Sequence, residues 1–262
     1  MAAAAAAGCV KYILPNCYCW IIPDSNETLL RESLAGEQVL AYCRDIESHS
    51  DKDGKGPYWI APACSFWYVY SLAGGYAQQP MDLFGFDFAN RKITFFVDSD
   101  GDNKNRKINV STAEQCGRAV AALLSLKELP EDETDKESIT ISRWRNKPLR
   151  ISSFYVSQRD MLDAVHQVLG TTDEDWTMET EDLRERYEKG VADMKKGDPT
   201  RSGFARALYA RIFFPDAGRP EDGYASAEGA DNEVLGLPKE SLVEATREAV
   251  ELVMGGGENK KA

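Results

Sequence analysis

Pro15-Asn16-Cys17-Tyr18 follows directly on the apolar run Val10–Leu14. A short apolar strand that stops at proline marks a strand's carboxyl end, which is where open α/β sheets bind their ligands. A second such end follows the apolar strand Tyr58–Ala63, in Cys64-Ser65-Phe66-Trp67-Tyr68-Val69-Tyr70. Seven aromatic residues fall from Tyr58 to Tyr76. In a concave site such rings bind flat, apolar ligands by stacking and burial; in a core they simply pack. Phe66, Trp67 and Tyr70 are the candidate ligand contacts. Nucleophilic catalysis finds little support, because His49 lies in a polar loop and His166 beside the apolar face of a helix. No Ser/His/Asp or Cys/His spacing connects either to a nucleophile, so no catalytic residue is assigned. Cys17-x-Cys19 lacks zinc spacing and a second ligand pair. Asp98, Asp100 and Asp102 imitate a calcium loop, but its sixth and twelfth positions are Asn103 and Asn109. No metal site is expected.

The elements that would carry these residues alternate between strand and helix, and the pattern predicts an α/β fold. Ala2–Ala7 with Gly8 reads either as a helix end with its glycine stop or as a disordered polyalanine stretch that reflects where translation is assumed to begin. Leu29, Leu30, Leu34, Val39, Leu40 and Cys43 share one face of a helix over Thr28–Glu47. Tyr58–Ala63 is uniformly apolar, as parallel strands buried on both faces are. Arg91–Val97 and Lys107–Val110 read as strands joined by an acidic hairpin turn. A helix starts near Ser111 and runs to about Leu126. Leu149–Val156 reads as one strand. Ser157 then caps a helix that stops at Gly170. The rest reads as helical over Glu181–Lys195, Ser202–Phe214 and Lys239–Val253, with a flexible tail over 255–262.

Charge and cysteine usage narrow the function classes. The 31 Lys and Arg against 43 Asp and Glu give a net charge of −12, so a nucleic-acid footprint is excluded. Pro57–Met81 has no charged residue over 25 positions, yet three prolines, Gly74-Gly75 and two glutamines make it a buried strand with a pocket-lining segment rather than a membrane span. Six scattered cysteines point to reduced thiols and a cytoplasmic location. No three of the 20 glycines fit G-x-G-x-x-G or G-x-x-G-x-x-G.

The stretch GCVKYILPNCY, Gly8 to Tyr18, resembles a segment reading roughly AGVKRFIPSEF in the NmrA-like, isoflavone-reductase-like branch of the atypical short-chain dehydrogenases. Further similarities follow in family order: Trp59 to Phe66, Phe84-Gly85-Phe86-Asp87-Phe88, Gln115 to Ala121 (family D-I-G-R-A-V-A), Leu149 to Gln158, and Asn232 to Pro238. The fungal members are the most similar.

This resemblance implies a partial Rossmann-like, NAD(P)-binding sheet lacking its first strands and glycine-rich loop, interleaved with a smaller, mostly helical substrate domain. Residues 1–63 and 101–156 would form the sheet, and 64–100 and 157–254 the substrate-covering part. The family's P-S-E-F lines the nicotinamide end of an NADP(H) site, which carries over to Pro15, Asn16 and Cys17, with Tyr18 on the substrate side. Cys17 stands where the family has glutamate. The family's catalytic lysine falls at Gly36, and no lysine occurs between Lys11 and Lys52. The implied ancestry is NADPH-dependent reduction of a small apolar or aromatic secondary metabolite, inactive or altered here. A non-redox small-molecule-binding or cyclase-type enzyme, and a regulatory protein-binding module, are the alternatives. An unpaired edge beside Val10–Leu14 would be covered by a homodimer or a protein partner.

Overall fold

The structure is a computed structural model, and it describes residues 9–15, 41–48, 57–75, 81–98, 101, 106–197, 202–214 and 231–255. Its chain divides into two compact units, 1–65 with 113–152 and 228–238, and 66–112 with 153–227 and 239–262. The fold is mixed α/β with three small sheets of three strands each among the described residues.

The first unit is built on a parallel sheet ordered β1-β2-β7, from β1 (Tyr12–Ile13), β2 (Tyr58–Ala63) and β7 (Lys147–Arg150). β1 is shorter than the run Val10–Leu14 suggests. Alternation along β2 explains how a central strand tolerates Pro62. The Tyr58 N–H donates to the Lys11 carbonyl at 2.8 Å, so even-numbered residues face β1. Trp59 and Ala63 face the other way: their carbonyls accept from the Asn146 and Ile151 N–H groups, at 2.8 and 2.9 Å. Pro62 therefore faces β1's side, past the last β1–β2 pair at Ile13 and Trp59, where its missing N–H breaks no ladder bond.

Helix α1 covers residues 41–48, overlapping the end of the expected Thr28–Glu47 helix and running one residue past it. Helix α3 (Ala113–Leu124) buries Cys116, Ala119 and Leu123 at helical spacing. They meet Ile60 and Leu149 from the sheet, Cys64 and Ile151 just past the ends of β2 and β7, and Trp144 from the 3-10 turn Ile141–Trp144 to make the first unit's core.

The second unit holds the other two sheets. β3 (Phe66–Trp67) runs parallel to β6 (Ile108–Ser111), which pairs antiparallel with β8 (Phe154–Val156). β5 (Lys92–Val97) is flanked by antiparallel β4 (Phe86–Asp87) and parallel β9 (Thr177–Asp182). Helices α2 (Tyr68–Leu72), α4 (Gln158–Leu169), α5 (Leu183–Lys195), α6 (Ser202–Arg211) and α7 (Leu242–Gly255) complete the unit. Close packing of α5 on α6 depends on small residues: a Cβ on Gly190 would lie 2.6 Å from the Ala207 nitrogen, and one on Gly203 2.9 Å from the Gly190 carbonyl oxygen. Tyr68 shares a 2.7 Å hydrogen bond with Thr246 and Tyr209 a 2.6 Å bond with Ser71. Burial pushes both phenols well above their usual pKa.

Three expectations need correction. Leu149–Val156 is two strands: β7 lies in the first unit's sheet and β8 in the second unit's, separated by Ile151-Ser152-Ser153. Arg91–Val97 and Lys107–Val110 do not form a hairpin, because β5 and β6 belong to different sheets. The segment read as helical from Glu181 is preceded by β9, whose exposed sequence Thr-Met-Glu-Thr-Glu-Asp carries no apolar alternation. The N-terminus of α4 matches its expected capping: Ser157 and Asp160 form a reciprocal capping box and Gly170 is left-handed at φ 65°.

Gln158, in the first turn of α4, uses its whole amide. Its Oε1 accepts from the Phe96 N–H at 2.8 Å, and its Nε2 donates to the Phe84 and Thr94 carbonyls, each at 2.9 Å. Gly85 lies under this clamp at φ 83°, where a Cβ would sit 2.2 Å from the Thr94 carbonyl oxygen. Gln158→Ala is expected to destabilise by about 2–4 kcal/mol in urea unfolding, since two buried backbone groups and one part-buried carbonyl lose their partner. Gln158→Glu adds a sign test. Its carboxylate faces two carbonyls, so the folded-state pKa is raised. The penalty should be smallest below the ordinary glutamate pKa and grow as pH rises through the folded value. Gly85→Ala is expected to cost more than about 2 kcal/mol in the same assay.

Candidate functional site

In the first unit, three parallel strands end on the same side. Pro15 follows β1 and is buried. Asn16, Cys17 and Tyr18, like Gly36 on the following predicted helix, lie outside the described residues. After β2, Cys64 is fully buried, and Ser65 is only 8% exposed with φ 57°. That left-handed conformation is uncommon for a residue with a side chain; such strain is held only where surrounding structure demands it, often at binding sites.

After β7, Ser152 is held by Asn232, whose Oδ1 accepts the Ser152 N–H at 3.3 Å and whose amide donates to the Ser152 carbonyl. Asp231 grips Arg150 similarly: its carboxylate accepts the Arg150 N–H at 2.8 Å, and its own N–H donates to the Arg150 carbonyl at 2.6 Å. The Asn232–Pro238 segment thus acts as a brace on the end of β7.

The aromatic candidates lie in the second unit, Phe66 and Trp67 on β3 and Tyr70 on α2. Phe66 is buried, its ring set edge-on against Tyr209 with centroids 4.6 Å apart. Trp67, next along β3, turns outward and is 40% exposed. Tyr70 is half-buried on α2, its hydroxyl 3.3 Å from where a Cβ of Gly75 would stand. His166 is a packed histidine: Nδ1 meets the Thr171 hydroxyl at 3.0 Å and Nε2 meets Asp173 at 2.9 Å. The hydrogen bonds of Arg159 and His166 hold the Asp173 carboxyl below its usual range.

A cavity of about 290 Å³ in the second unit was not anticipated from the sequence. Arg186 of α5 contributes to its lining and is 2% exposed. Its guanidinium binds the Asp82 carboxylate at 3.1 Å, the Asp82 carbonyl at 2.9 Å and Glu181 at 2.6 Å, and lies 4.3 Å from the Phe96 ring centroid. A buried arginine must be paired this way. Phe84–Phe88 was legible as a motif, but a single arginine on a charged helix gave no signal. Among the described residues no three metal-ligating side chains cluster, and no helix is long and apolar enough to cross a membrane.

Cys9 is exposed, whereas Cys43, Cys64 and Cys116 are buried, and none of the four is in a disulfide. Burial, with Glu47 adding to it, pushes Cys43 from 9.0 to about 11. A raised thiol pKa stabilises the fold below pH 9.0, and that contribution is lost as pH climbs toward about 11. In a native thiol titration near about pH 8, Cys9 is expected to react readily and Cys43 only on unfolding.

No family model matches the chain, and no curated protein matches it. Among solved structures the chain is similar to the Citrobacter sp. triphenylmethane reductase complexed with NADP(H), at 14% identity and a TM-score of 0.40, over 73% of this chain and 53% of that one. The chain thus spans about half the length of that reductase.

Proposed function

We propose that this chain is an NmrA-like, isoflavone-reductase-like α/β protein. In this reading the first unit derives from the NAD(P)-binding sheet and the second from the substrate-covering part. Its ancestral chemistry is NADPH-dependent reduction of a small apolar or aromatic metabolite. In its present form it binds such a molecule without reducing it. The observation that carries this reading is Ser65: a buried, left-handed serine at the carboxyl end of the central parallel strand, where α/β sheets place ligands.

The described strand ends do not fit a pyrophosphate. The turn Cys64-Ser65 and the turn Ile151-Ser152-Ser153 contain no glycine. Their neighbourhood is already committed: the Ser152 N–H donates to Asn232, and the Ser153 N–H to Val110. A phosphate cradle needs several convergent backbone N–H groups. The lysine deficit supports the same conclusion, because proton transfer by a positioned amine is worth roughly 10²–10⁴-fold and Gly36 has no side chain to supply it. A regulatory role through a protein partner remains the second reading, favoured by the same two deficits.

Fluorescence titration with NADPH is expected to show no saturable binding, and no NADPH consumption with planar aromatic ketones. Thermal shifts by the same aromatic compounds should be equal with and without NADPH. Micromolar NADPH binding coupled to ketone reduction would overturn the reading.

A further inference from the structure

We propose that the second unit's cavity binds a free α-amino acid with an apolar side chain. This goes beyond the proposed function, and nothing in it depends on NADPH. At about 290 Å³ the cavity is at the small end of ligand sites, which run to roughly 1,000 Å³, so its occupant is compact. Much of the wall is apolar, with Met81, Leu83, Phe86, Phe88 and Val253 among its residues.

The charges on the wall come in both signs. Arg186 is charge-balanced by Asp82 and Glu181 through its two terminal nitrogens, while its buried Nε has no hydrogen-bond partner among the described residues. Asp87 spends both oxygens on Asn90, accepting from its backbone N–H at 3.1 Å and its amide at 2.7 Å. Two groups keep capacity for a ligand. The Asp82 side chain is 52% exposed and gives one oxygen to Arg186, which leaves its Oδ1 without a partner among the described residues. The Arg206 side chain is 33% exposed and gives Nη1 to Asp193 at 2.8 Å, which leaves Nε and Nη2 available.

A ligand with only a cationic head would place it against Arg206 without a counter-charge, and one with only an anionic head would meet Asp82 and Asp87. An ammonium on Asp82 together with a carboxylate on Arg206 answers both groups, and a hydrocarbon side chain fills the apolar wall. The frame is stiff, as recognition of a small zwitterion requires. Arg186 and Arg206 lie on α5 and α6, which touch backbone to backbone at Gly190 and Gly203. Asp82 starts the turn closed by the Gly85 N–H on its carbonyl at 3.0 Å.

Isothermal titration of the whole chain with L-phenylalanine and L-leucine tests this. Saturable binding is expected at or below about 1 mM. N-acetyl-phenylalanine, which lacks the ammonium, and phenylalaninamide, which lacks the carboxylate, should each bind at least about tenfold more weakly. Arg206→Met should weaken the free amino acid similarly but leave the amide's affinity unchanged. Ala205→Met, which fills the cavity from a lining position, should abolish binding with the circular dichroism spectrum retained. The proposal is overturned if neither amino acid binds, if the blocked forms bind as tightly as the free ones, or if a folded Ala205→Met variant keeps full affinity.

Discussion

One side-chain amide organises the second unit. Gln158 supplies one acceptor and two donors to the backbone at Phe96, Phe84 and Thr94, so a residue of helix α4 stands in for sheet ladder bonds that the turn before β4 cannot make. Gly85 must lie against the Thr94 carbonyl for that geometry to close. The same turn presents Asp82 to Arg186, whose guanidinium returns to stack on the Phe96 ring. Phe84 and Phe96 both meet Phe213 edge to face, and Phe84 also meets Tyr209. Two segments singled out in the sequence, Phe84–Phe88 and Leu149–Gln158, thus meet physically at one buried amide. A half-satisfied version of this network would be worse than an apolar core, which is why every polar atom of the amide is used.

The first unit solves a different problem. Its three strands are short and parallel, and each end must be tied down by something other than a long ladder. Asn146, left-handed at φ 54°, accepts the Trp59 N–H at 3.2 Å with its side chain and donates its own N–H to the Trp59 carbonyl. Asp231 and Asn232 brace the other end of β7. Arg145 lies over Tyr58 at 4.2 Å and reaches the Tyr12 hydroxyl at 3.1 Å, fastening β1 to β2 from the solvent side.

Legibility followed local chemistry. The α4 cap was readable because Ser157, Asp160 and Gly170 act on neighbours within a few residues. β2 was readable because one face is buried and the other half-buried, which leaves a continuous apolar run. β9 was not, since an exposed edge strand of threonine and glutamate has no buried face to impose a period. The break at Ser152 was hidden for the opposite reason: the residues on both sides favour strands, and what separates β7 from β8 is the choice of partner, β2 for one and β6 for the other. The cavity was invisible because its wall comes from the loop at Met81–Ala89 and helices α5, α6 and α7, far apart in the chain.

By itself the sequence determined an α/β chain of net charge −12, its main helices, the aromatic content of Tyr58–Tyr76, the absence of a glycine-rich phosphate turn from these 262 residues, and the absence of any lysine between Lys11 and Lys52. These follow from composition, spacing and local propensity. Only the tertiary structure decided which aromatics pack and which face solvent, that Ser65 is held left-handed, and that Asp82 and Arg206 share one cavity. The reason is physical: burial, strain and charge pairing arise between residues remote in sequence, and no local pattern encodes which of them meet.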